Sequence, residues 1–216
     1  MTAVWGPMGW MTLHSISLLY PDNPSQDDKQ IVRKFLSDFS ESITCPHCER
    51  HFKTMFENYQ MTHPEWANSR FDLFLFIVRA HNTVNKRLEK PLQKTVQECL
   101  DALKSATQYA SFTEFRKKYI DYVVSRMAAE MSGDTMVKVG HAQSMRRINA
   151  SYWNSKIMQD TSTFNLDSNV LGFISDTNST HRFMFPGNNQ SNMAVVSGGP
   201  NVSIGFKGGR LRLNVR

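Results

Sequence analysis

The first 132 residues predict a mainly α protein, followed by a smaller module of α+β or irregular character from Gly133 on. Three observations carry this. Apolar side chains recur at helical spacing, serine caps are followed by acids, and prolines and glycines fall between the periodic stretches.

Trp10, Leu13 and His14 share one face of an opening helix. Ser25 is an N-cap, with Asp27 and Asp28 in the first turn where the helix dipole favours acids. Ile31, Phe35, Leu36 and Phe39 form the apolar face that follows. Cys45-Pro46 opens another helix, because proline suits the first helical position, and Phe52, Met55, Phe56 and Tyr59 extend it. A further helix runs from about Ser69 through Phe71, Phe74, Ile77 and Val84 to Leu88, where Pro91 stops it. Residues 94–108 form the next. Ser111-x-x-Glu114 is a capping box that opens a helix through Phe115, Tyr119, Tyr122 and Val123, ended by Gly133.

Beyond Gly133 helical periodicity fades. Short apolar runs at Met193–Val196 and Val202–Phe206, bounded by Gly and Pro, read as strands with turns. The expected division is therefore 1–132 and 133–216. The second part holds nine Lys/Arg against four Asp, so it carries most of the net charge of +6. Spaced charges of this kind are an ordinary solvated surface, and nucleic-acid binding is not expected, although a virion structural or nucleic-acid-binding unit stays open as the role of this module.

With 216 residues, 40% hydrophobic and 14 Phe, the chain has enough material for a buried core. No apolar run is long enough for a membrane span, and no basic-then-apolar leader opens the sequence, so a non-secreted protein is expected. Three cysteines do not make a secreted disulfide framework.

Two of them form Cys45-Pro46-His47-Cys48 at a helix start. There a thiolate faces unpaired N–H groups and the positive end of the dipole, which lowers its pKa. A pair with two residues between its cysteines closes a small ring and exchanges with substrate thiols. Other readings stay open at this point. Cys45, Cys48 and His51, with His47 or His63, are ligand types for zinc, although no second ligand pair follows at zinc-finger spacing. A thioredoxin-like oxidoreductase would need a strand before the motif, and a plain structural pair is the simplest case of all. Further on, His81-Asn82-x-Val84-Asn85-x-Arg87-Leu88-x-Lys90-Pro91 gathers an imidazole, two amides and two cations near the end of one helix. That set suits a large ligand with phosphates and heterocyclic rings, and Trp10 with His14 suits a flat ring. Core packing is the competing reading for Trp10.

Trp10-x-x-Leu13-His14, Tyr20-Pro21-x-x-Pro24, Cys45-x-x-Cys48 and the His81–Pro91 motif stand in the order and approximate spacing of the Erv/ALR family of FAD-linked sulfhydryl oxidases, and the chain resembles that family over residues 5 to about 91. The opening Trp5-Gly6-Pro7-x-x-Trp10 is most similar to versions carried by large cytoplasmic DNA viruses. The resemblance implies a four-helix bundle with a short fifth helix and FAD in the bundle's mouth. It implies FAD contacts from Gly6, Trp10, His14 and Tyr20, and from His81, Asn82, Val84, Asn85, Arg87, Leu88 and Lys90. Cys48 would lie beside the flavin and Cys45 would face substrate.

The chain also departs from the family. Pro7 stands where an arginine is usual, Tyr119 or Phe115 would replace a late tryptophan, residues 92–110 look inserted, and Cys99 alone cannot form a shuttle pair. The expected activity is dithiol oxidation with O2 as acceptor and hydrogen peroxide as product. Expected partners are a protein dithiol, such as a thioredoxin-like CxxC protein, and a second copy of the chain. The expected place is the host cytoplasm or a virus factory, or the virion. The alternative is a zinc-binding interaction module.

Overall fold

The computed structural model describes residues 2–129, 133–166 and Ile174, with side chains from Trp5 on. The described residues form seven α-helices and one 3-10 turn. The helices are α1 (Thr2–Leu19), α2 (Gln26–Glu41), α3 (Pro46–Thr62), α4 (Arg70–Arg87), α5 (Val96–Thr107), α6 (Phe112–Ala128) and α7 (Gly133–Ser151), and the turn is Trp153–Ser155. The mainly helical expectation is met.

Local chemistry starts α2 to α6. Ser25 and Ser111 make full capping boxes with Asp28 and Glu114, and Ser69 and Thr95 accept the N–H three residues on. α3 is capped by sulfur: Cys45 Sγ accepts the Cys48 N–H at 3.3 Å, with Pro46 at the first helical position.

α1 is the central helix, buried without a break from Thr12 to Tyr20. Its buried hydroxyls bond back to their own helix, Thr12 to Met8 O, Ser15 to Thr12 O and Ser17 to His14 O, all within 2.8–2.9 Å. Gly9 allows close approach. A Cβ there would meet the Tyr119 ring at 3.2 Å and the Phe39 ring at 3.4 Å, so α6 and α2 close on α1 where a side chain is missing. One core joins α1, α2, α3, α4, α6 and α7 through residues such as Leu13, Phe35, Phe52, Phe76, Ile120 and Met145. A smaller cluster of Leu18, Phe74, Val78, Val96, Cys99, Leu103 and Phe164 seats α5 against α1 and α4.

Two expectations are corrected. Gly133 does not end a helix: α6 stops at Ala128, and Gly133 opens α7. Nor does residue 133 begin a separate module. α7 packs on α2 and α6, Ala142, Met145 and Trp153 are fully buried in the main core, and the compact unit runs to Asp176. The reason is that α7's core-facing line is short, Val139, Ala142, Met145 and Ile148, and polar Thr135 and Asn149 are buried beside it, so its apolar periodicity is weak in the sequence. The strands expected at 193–196 and 202–206 lie outside the described residues.

Buried cations tie these later segments down. Arg116 on α6 donates to Ser15 Oγ, Asn149 Oδ1, Thr113 Oγ1 and Asn154 Oδ1 at 2.7–3.2 Å, which joins α1, α6, α7 and the 3-10 turn. With only neutral acceptors around it, burial lowers its pKa to about 10. Arg70 makes a two-pronged pair with Asp22 at 2.9 and 3.2 Å, donates to Asp160 O and lies 5.0 Å over the Phe164 ring.

Candidate redox site

Three helices meet at the site. α3 brings Cys45 and Cys48, which form a disulfide with Cα atoms 5.2 Å apart. Both are half-buried and pack on the main core. One turn after Cys48 comes Phe52, whose ring centroid lies 6.4 Å from that of Trp10 on α1. Trp10 in turn stacks on His81 of α4, at 4.2 Å and 9° between planes. His14, one turn after Trp10, reaches the same imidazole, with its Nε2 3.0 Å from His81 Nδ1.

The two histidines share one hydrogen bond, so one donates and the other accepts. His14 Nδ1 is buried without a partner. An unpaired acceptor is cheaper there than an unpaired N–H, which favours His14 donating through Nε2. Both imidazoles are held neutral. Burial lowers His14 to about 4. Burial also takes His81 well below its usual value, helped by His14 and by the Lys90 ammonium.

The rest of the His81–Pro91 motif divides by role. Asn82 clamps the following loop, donating to Gln93 O at 2.8 Å and accepting from Gln93 N at 3.0 Å. Asn85 Nδ2 donates to Pro91 O at 3.3 Å. α4 ends in a Schellman turn, Lys90 N to Asn85 O at 2.8 Å and Glu89 N to Lys86 O at 3.1 Å. Its left-handed position, usually glycine, is Glu89 with φ 53°. This turn folds Lys90 back toward His81. Arg87 Nη1 lies 3.2 Å from His47 Nε2, linking the end of α4 to the residue between the cysteines. Val84 is half-buried and Leu88 is exposed.

Three other expected residues stand apart from the Trp10–His81 stack. Gly6 lies on α1 with open space where a Cβ would go. Tyr20 is fully buried and donates to Ala67 O at 3.0 Å, locking the end of α1 to the approach to α4. Tyr119 is buried on α6, stacked on Phe39 at 4.9 Å. Sequence reasoning read Phe52 only as one residue of a helix face and His47 only as a possible zinc ligand, and it missed Gln93 and Glu49. Glu49 had a signal in its adjacency to Cys48. Among the described residues no group of three His, Cys, Asp or Glu is placed to hold a metal, and no helix is long and apolar enough to cross a membrane.

The sequence profile of the Erv1 / Alr family matches residues 7–110. This stretch includes α5. Relatives include a putative FAD-linked sulfhydryl oxidase, 096R, of Invertebrate iridescent virus 3, 33% identical over 88 residues, 41% of this chain and 58% of that protein. The mitochondrial FAD-linked sulfhydryl oxidase ERV1 of Saccharomyces cerevisiae is 35% identical over 86 residues, 40% of this chain and 43% of that protein. The FAD-linked sulfhydryl oxidase of African swine fever virus (isolate Tick/Malawi/Lil 20-1/1983) is 32% identical over 88 residues, 41% and 71% respectively. The chain thus spans about half the length of the first two and over two thirds of the third.

Proposed function

The chain belongs to the Erv1 / Alr family, and from that premise we propose that it is an FAD-linked thiol oxidase acting on protein dithiols through Cys45 and Cys48. The observation that carries this is the placement of a half-buried disulfide at a helix N-terminus, on the same core as the Trp10–His81 stack.

The residues fit a flavin nucleotide. Trp10 and His81 offer flat faces, His14 Nδ1 is a buried acceptor in want of a donor, and Lys90 and Arg87 are cations suited to a pyrophosphate. Asn82 and Asn85 would act mainly by shaping the loop that carries Lys90, since their amides are engaged with Gln93 and Pro91. When bound, FAD supplies the two-electron acceptor and returns the electrons to O2, giving hydrogen peroxide.

The protein's own residues perform the thiol chemistry. A substrate thiolate attacks Cys45 Sγ, the Cys45–Cys48 bond breaks, and Cys48 leaves as a thiolate in the first turn of α3, where N–H groups and the dipole favour its charge. The substrate's second thiol then attacks its own mixed disulfide sulfur, releasing Cys45 and completing the substrate disulfide. Cys45 takes the outward role because it sits at the cap, whereas Cys48 lies one turn before Phe52 on the side of Trp10. Cys99 is buried and so takes no part in relaying electrons, and in this reading a substrate or a thioredoxin-like CxxC carrier reaches Cys45 directly. With this reading go a homodimer, read by sedimentation, and action in the host cytoplasm or a virus factory.

The test is spectroscopic. The purified protein is expected to be yellow, with flavin absorbance that survives dialysis. Cys48→Ser should abolish dithiothreitol turnover and any thiolate–flavin charge-transfer band, and Cys45→Ser should abolish turnover while keeping the band. A folded, colourless protein that cannot be reconstituted with FAD sinks the reading.

A further inference from the structure

Cys45 is the last residue of a four-residue link, 42–45, between the end of α2 and the start of α3. Ser42 and Ile43 are buried and bond back to α2, so movement once the disulfide opens is left to Thr44 and Cys45. A side chain from α7, outside the family-matched segment 7–110, spans it. Lys138 Nζ donates to Glu41 O at 3.1 Å, to Ile43 O at 3.2 Å and to the Glu49 carboxylate. All three ammonium protons therefore have acceptors: two on the main chain before Cys45 and one on the first turn after Cys48. The contact is largely shielded from water, with the Lys138 and Glu49 side chains 19% and 15% exposed. Lys53 runs beside it, at 2.7 Å from both Glu41 and Glu49. Hydrogen bonds from these two ammoniums outweigh burial and hold the Glu49 carboxyl below its usual range.

We propose that Lys138 is a positioning residue of the redox pair, pinning the link before Cys45 to the first turn of α3 so that the two sulfurs stay within bonding reach after reduction. The proposal rests on the thiol-oxidase reading for its role in turnover. Its effect on disulfide closure does not depend on a flavin. When glutathione disulfide oxidises the reduced pair, the Cys45–Cys48 bond forms, the glutathione S–S bond breaks, and two glutathione thiols leave with the two protons. How far this lies toward closure depends on how often Cys48 meets Cys45, which a pinned link raises.

The experiment equilibrates the full chain with reduced and oxidised glutathione and counts alkylated thiols by intact mass. In Lys138→Met the equilibrium constant for closure is expected to fall about tenfold, a rise of about 30 mV in potential. Lys138→Arg, which keeps a cation and several donors, should recover it to within about threefold. Arg146→Met removes an exposed α7 pair with Asp121 and should change nothing, so a general loosening of α7 is told apart from loss of the latch. If Lys138→Met fails to fold, Glu49→Gln removes the α3 end of the latch and should shift closure in the same direction. An unchanged constant in the folded variant overturns the proposal. Loss of oxidase activity in the wild-type protein would overturn the flavin reading alone.

Discussion

Apart from Arg70, which braces Asp22 and Asp160, the helices inside the matched segment and the helices after it use polar side chains in different ways. In α1, α3 and α4 the polar groups converge on one another: His14 on His81, His81 on Trp10, Arg87 on His47. In α6 and α7 they reach outward to hold other helices, Arg116 to Ser15 and Lys138 to the link before Cys45. The first pattern builds a site, and the second braces it. The contrast teaches that a segment outside a family match is not thereby a separate domain.

Cutting the chain is the largest blow to that contrast. A chain ending at residue 132 loses Ala142, Met145 and Trp153 from the core and uncovers Phe35, against which Trp153 packs edge-on at 5.9 Å. It also removes Asn149 and Asn154 from Arg116, leaving a buried guanidinium short of acceptors. Loss of one such tryptophan alone costs about 3–5 kcal/mol, a large part of a typical domain's stability of about 5–15 kcal/mol. The expected result is aggregation or no cooperative melt for 1–132, with a cooperative melt retained by 1–176. If 1–132 melts cooperatively and keeps dithiol oxidation, α7 is an accessory and its bracing role is wrong.

Legibility divides along the same line. Caps such as Ser25 and Ser111 and the Cys45-Pro46 start are short-range signals, and the sequence shows them directly. So is the gathering of Trp10, His14 and His81, because each lies in a motif of unusual composition. The bracing is not legible. α7 buries threonine and asparagine beside a short line of Val139, Ala142, Met145 and Ile148, so the hydrophobic stripe that marks it is weak. Lys138 finds its acceptors 89 to 97 residues away, two of them main-chain carbonyls that carry no sequence identity. The Asn82 clamp likewise uses the main chain of Gln93, which any residue could supply.

Acid should act on the first region before the second. Burial holds His14 at about 4, so the folded state prefers the neutral ring while the unfolded chain takes up a proton near 6.5. The contribution is complete above that pH and is lost as the pH falls from about 6.5 to about 4, amounting to about 3 kcal/mol. His81 shifts the same way, and because the two share a hydrogen bond they titrate as a pair. Carboxyls held low by their partners, such as Asp28 at about 2, lose their contribution only in more acid solution. Urea midpoints should therefore drop between pH 6.5 and 5, with amide exchange rising first in α1 and α4. His14→Gln should flatten that slope. An equal slope in the variant would move the acid sensitivity to His81, which burial also holds neutral.

The smallest expected effect concerns α5, which lies inside the matched segment yet holds no part of the redox site. Cys99 is 3% exposed among Val96, Leu103, Phe74 and Val78, and burial pushes its thiol up to about 12. A thiol in that setting stays protonated, so it is a poor nucleophile and packs as a small apolar group. Cys99→Ser replaces it with a hydroxyl that has to find an acceptor in an apolar cluster, at a cost of about 1–3 kcal/mol. Turnover should stay within about twofold of the wild type, since nothing in the exchange chemistry passes through this sulfur. In the native protein iodoacetamide should label the reduced Cys45–Cys48 pair quickly and Cys99 only on the timescale of unfolding, as intact mass would show. Fast labelling of Cys99 in the folded state would mean that α5 opens readily, and the division between a site-building segment and a bracing one would have to be redrawn with α5 as a moving part.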